Sequence, residues 1–166
     1  MIAIGNAQDD CVRRARAFLA DFERHIMQSE GISLDRYLEG QTMFDRGVAC
    51  FTNKQWNEAI QWFHQSLVIM PEHPQSYGNI GICYGFSGHK TLALEAFDKA
   101  LELDLLYELA IVNRAIVERL PEGECLSSED GKIVKYYNEY PLQNRSYLEE
   151  FIQNHRALQE GRTGKE

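Results

Sequence analysis

The chain is 166 residues long, 44% hydrophobic, with a formal charge of −8. That length suits one domain able to bury about 70% of its unfolded surface, and the composition excludes a disordered chain. The acidic balance repels a nucleic-acid duplex and no run reaches the ~18 apolar residues of a membrane span, so neither nucleic acid nor membrane is expected as a partner.

The start, MIAIGNAQDDC, has no basic stretch leading into a sustained apolar one, which predicts a cytoplasmic chain. Cys11, Cys50, Cys83 and Cys125 are widely spaced with no C-x-x-C, so buried reduced thiols are expected rather than a disulfide framework.

The first helix is predicted from Asp10 to about Met27, because Cys11, Ala15, Phe18, Phe22 and Ile26 recur at three- and four-residue steps. Asp9 or Asp10 would cap it, and Gly31 would stop it. Ser33 is placed to cap the next helix, which carries Leu34, Tyr37, Leu38, Phe44, Val48 and Phe51, with a possible break at Gly40. Loops are expected at Asn53 to Gln55 and at Ser87 to His89. A further helix is predicted from Glu108 to Leu120, ended by Pro121, and PEGECLSSEDG reads as a polar, acidic interruption. Beyond it, Ile133, Tyr136, Tyr137 and Tyr140 form one helical stripe, and Leu148, Phe151, Ile152, His155 and Leu158 another.

Two consecutive stretches, Gly40 to His73 and Pro74 to Tyr107, align at a period of 34 residues. Gly47, Cys50, Ala59 and Phe63 of the first reappear as Gly81, Tyr84, Ala93 and Phe97 of the second, and Pro71 closes the first. Small residues at 47, 59, 81 and 93 let helices approach, and the phenylalanines would fill the space between stacked pairs. This pattern resembles the tetratricopeptide repeat, W-x2-L-G-x2-Y then A-x3-F then P. The first copy departs from it with Met43, Arg46 and Ser66, and the second with Leu105 in place of proline.

The resemblance implies an all-α fold, a short right-handed superhelix of antiparallel helix pairs with flanking capping helices. As a single helical domain it divides into an N-terminal helical segment 1–39, repeats 40–73 and 74–107, a degenerate third repeat 108–140, a capping helix 141–160 and a tail 161–166. The terminal helices would cover apolar faces that repeats leave open.

Few residues suggest chemistry. The histidines show no H-E-x-x-H or His-Cys ligand spacing, and no nucleophile elbow, phosphate loop or dinucleotide fingerprint occurs. No metal, cofactor or catalytic residue is expected, and the chain is read as no enzyme.

The resemblance instead points to the inner face lined by the first helix of each unit. Projected from Gly47, Gly81 and Ala115, that face receives Phe44, Asp45, Val48 and Phe51, then Gly78, Asn79, Ile82, Gly85 and Phe86, then Leu109, Val112, Asn113 and Ile116. The predicted groove is apolar and aromatic, and Gly78 and Gly85 leave a trough in its floor. A basic clamp for a carboxylate, known in this family, needs lysines and an arginine here, whereas Phe44, Leu109 and Asn113 stand in those places. Two readings follow. The groove binds a partner protein's helix or apolar peptide, or it is filled by a terminal helix or a second copy of the chain in a structural, self-associating subunit.

Overall fold

The structure, a computed structural model, describes residues 3–127. Among them are six α-helices and no strand: α1 (Ala3–Ser29), α2 (Leu34–Thr52), α3 (Trp56–Ile69), α4 (Pro74–Phe86), α5 (Lys90–Leu103) and α6 (Glu108–Arg119). The chain divides into two compact units, of which Ile26–Tyr137 holds α2 to α6 and the other holds most of α1. The two stripes expected beyond residue 131 lie outside the described residues.

Helix α1 starts earlier than periodicity predicts, so Asp9 and Asp10 lie inside it and do not cap it. Phe18 and Phe22 stack along it with centroids 6.4 Å apart. After a turn with Gly31 in the left-handed region, the Ser33 hydroxyl accepts from the Arg36 amide at 3.3 Å and starts α2 as expected.

Helix α2 runs through Gly40 without the break its glycine suggests. The reason is tertiary: a Cβ at Gly40 would stand 3.1 Å from both the Ile69 and Met70 side chains, so the glycine serves a close approach of the end of α3. Within the larger unit α2 packs on α3, α4 on both α3 and α5, and α6 on α5 and α4. This is the order of stacked antiparallel pairs.

Each pair is closed by one large side chain on one glycine. A Cβ at Gly47 would meet the Phe63 ring at 2.6 Å, and one at Gly81 would meet the Phe97 ring at 2.7 Å. Both phenylalanines are fully buried. They therefore sit against the first helix of their own unit, a correction to the expectation that they fill space between stacked units. Arg46, which departs from the repeat pattern, lays its guanidinium over Trp62 at 4.8 Å and so keeps an apolar contact between α2 and α3.

The 34-residue register weakens at α6. Arg114 and Glu118 stand where the second unit has Ile80 and Tyr84, and Arg114 pairs with Asp98 at 2.6 Å and Glu118 at 3.2 Å. A charged edge thus replaces the apolar contacts that a further second helix would need.

Glycine substitutions separate these roles. Gly81→Ala gains about 1 kcal/mol of helix propensity but forces the packed Phe97 ring aside, a strain of about 1–3 kcal/mol. Gly40→Ala meets a flexible methionine and an isoleucine methyl at longer range. Urea denaturation should show Gly81→Ala the less stable of the two variants.

Candidate functional site

The residues expected on the inner face divide into two groups. Phe44, Phe51, Gly78, Asn79, Ile82, Gly85 and Asn113 are buried. Asp45, Val48, Phe86, Leu109 and Ile116 are half-buried, and Val112 is exposed. The floor of the predicted groove is thus largely core, and its accessible part is the second group.

Phe44 shows why. Its ring packs at 5.4 Å from Phe63 and edge-on at 5.0 Å to His73, between α2 and its neighbours. Phe51 meets Trp56 at 5.2 Å and Phe86 at 6.2 Å, while Phe86 and Trp56 stack at 4.6 Å. These three rings bind the end of α2 and the start of α3 to the end of α4. Trp56 contributes to this cluster although the face projection omits it; its aromatic character just after the loop was the available signal.

The trough expected at Gly78 and Gly85 is occupied by the chain itself. A Cβ at Gly78 would stand 2.9 Å from the Tyr107 ring, and one at Gly85 would stand 2.5 Å from Leu126 Cδ1. In the repeat register Gly78 replaces Phe44 and Tyr107 replaces His73. The large and small partners have changed places, and the volume between the helices stays filled. Leu126 comes from the acidic stretch after Pro121, which sequence reading treats as a mere interruption. The structure corrects this: the Leu126 amide donates to the Gly85 carbonyl at 2.9 Å, and its side chain is buried. Filling by a terminal helix concerns residues outside those described.

Asn79 and Asn113, in one register, are shut off from solvent, and neither end of either amide has a hydrogen-bond partner. An unsatisfied buried polar group costs about 1–3 kcal/mol. Elsewhere, a cleft of about 460 Å³ between α3, α4 and α5 is floored by Tyr77, Ile80 and Tyr84. Two of its rim carboxylates are already paired, Glu102 with Lys99 and Asp98 with Arg114. Among the described residues no three His, Cys, Asp or Glu side chains converge on a metal-sized space, and no helix is long and apolar enough to cross a membrane.

With this geometry in place, comparison with protein families is informative. A profile of the tetratricopeptide repeat matches residues 35–105, from the first turn of α2 to just past α5. Residues 35–105 are tetratricopeptide repeats. Such repeats mediate protein–protein interaction and are in general not enzymes. The repeats here also explain the buried half of the inner face, since their pairing closes on Gly47 and Gly81 and draws Phe44 and Ile82 inward.

Two titrations report on this packing. Burial pushes the His73 imidazole down to about 4, and its Nδ1 lies 2.8 Å from the Ser76 hydroxyl. The unfolded chain binds a proton there below pH ~6.5, the folded chain only near pH 4, so stability falls as pH drops through that window. The loss approaches about 3 kcal/mol. Denaturant titrations of His73→Gln should show a flatter pH dependence between those values than the parent.

Burial also pushes the Cys83 thiol up to about 12, whereas Cys125 is exposed, contrary to the expectation of uniformly buried cysteines. Native-state alkylation followed by mass spectrometry should label Cys125 quickly and Cys83 only after denaturation.

Proposed function

We propose that this protein is a non-enzymatic interaction module that binds a partner protein's helix or apolar peptide along the face of α2, α4 and α6. The observation that carries the reading is the row of apolar side chains left accessible there, Val48, Phe86, Leu109, Val112 and Ile116, on a segment whose family binds proteins or peptides. An apolar row of this kind offers contact surface to the apolar face of a partner helix or peptide. The acidic charge is a reason to prefer a protein partner over nucleic acid, and a cytoplasmic setting is consistent with the free thiols of Cys50, Cys83 and Cys125.

Among the described residues, the structural alternative, a groove filled by the chain itself, is favoured at Gly78, which Tyr107 covers, and at the Gly85 hollow that Leu126 enters. Self-association remains an outcome of the same test.

Val112→Asp should leave the melting temperature nearly unchanged, since Val112 is 39% exposed. Partner capture, quantified by mass spectrometry, should fall by tenfold for every ~1.4 kcal/mol of lost contact. Val68→Asp, at a residue 78% exposed on α3, serves as the control and should retain the same partners. Equal recovery by all three chains would refute binding at this face, and a shift in oligomeric state alone would favour the self-associating subunit.

A further inference from the structure

We propose that the hollow at Gly85 is a subsite for an extended peptide anchored by a leucine, and that residues 121–127 occupy it in cis as a competing strap. The inference rests on the peptide-binding reading above and names the ligand chemistry of one part of that face.

The hollow exists because of a single change in the repeat. Gly85 stands where the first unit has Phe51, and Val117 of α6 forms its side wall, 3.4 Å from where a Cβ would be. Leu126 fills it and is 4% exposed, while Glu122, Gly123, Glu124, Cys125 and Ser127 around it are all exposed. One buried leucine in an otherwise solvated, non-helical stretch is an anchor, not a folded element.

The backbone contact has the form of peptide recognition as well. Gly85 lies in the last turn of α4, where its carbonyl accepts from the Gly88 amide of the following turn at 3.2 Å and keeps room for a second donor. Its oxygen takes the Leu126 amide at 2.9 Å, a contact that depends on backbone and on no particular neighbouring side chain. Upstream, the Lys90 ammonium donates to the Leu120 carbonyl at 2.6 Å and holds the strap's entry. A second closeness, Gly88 beside the Gly123 carbonyl, keeps the strap low over the turn after α4.

A tethered segment of this length presents its leucine at millimolar effective concentration. A partner must therefore bring contacts beyond the single anchor before it displaces the strap. The strap excludes weak ligands and leaves the rest of the face free for a partner that also engages Val112 and Ile116.

The test uses the full chain carrying Leu126→Asp and a synthetic peptide of residues 120–127 with serine in place of cysteine. Amide chemical-shift titration should show this peptide perturbing Gly85, Gly88 and Val117 in the variant, and binding at least tenfold more weakly to the parent chain. The same peptide carrying Leu126→Ala should not bind. Adding Gly85→Ala to the variant places a Cβ in the hollow, favours the α4 helix, and should abolish the titration; if Leu126→Asp does not fold, Leu126→Ala takes its place. No perturbation at millimolar peptide, or equal binding to parent and variant, overturns the proposal. Partner capture that depends on Val112 but not on Leu126 would also overturn it while leaving the interaction reading intact.

Discussion

Everything in the larger unit depends on how a phenylalanine of one helix is received by a glycine of the next. Phe63 on Gly47 and Phe97 on Gly81 set the distance between paired helices, and at each contact a Cβ on the glycine would force the ring aside. Interiors are packed to crystal-like density, so a fixed pair distance then dictates what side-chain volumes fit between successive pairs. The exchange of Phe44 and His73 for Gly78 and Tyr107 answers that constraint: the ring that packs across the boundary comes from the first helix of the unit in one case and from the residue after its second helix in the other.

The same constraint has an electrostatic consequence. Because Phe44 lies against His73, the imidazole is surrounded by apolar surface and its charged form is disfavoured. In the second unit the equivalent place belongs to Tyr107, a phenol instead of an imidazole. The acid-sensitive imidazole thus stands at the boundary between the first and second repeats.

Much of this was legible in sequence. The period of 34 residues identifies the glycines and phenylalanines that meet, and Ser33, Pro71 and Pro121 mark where helices begin and end. The change from Phe44 and Phe51 to Gly78 and Gly85 also shows that volume is missing from the second unit. What fills it was not legible, because Tyr107 and Leu126 reach those glycines from later turns, and periodicity carries no signal for contacts made by irregular chain. Gly40 was misread for a related reason: helix propensity is a weak local term, and the approach of Ile69 and Met70 outweighs it. Projection along a helix told which residues share a side, but not how deeply the neighbouring helix covers them. Phe44 and Ile82 were therefore drawn as groove and are core.

The inner face keeps one feature that stability does not explain. Asn79 and Asn113 bury amides with no protein partner, although an apolar residue of similar volume would remove that cost. The first-unit counterpart of the two asparagines is Asp45, which is half-buried and engaged in an interaction of its own. Along the register the polar group is thus retained three times while its protein partner is not. A chain selected only to fill its own core would lose such groups first. Departures from local consistency gather where proteins act, and both amides lie on the helices that carry the accessible Phe86, Val112 and Ile116.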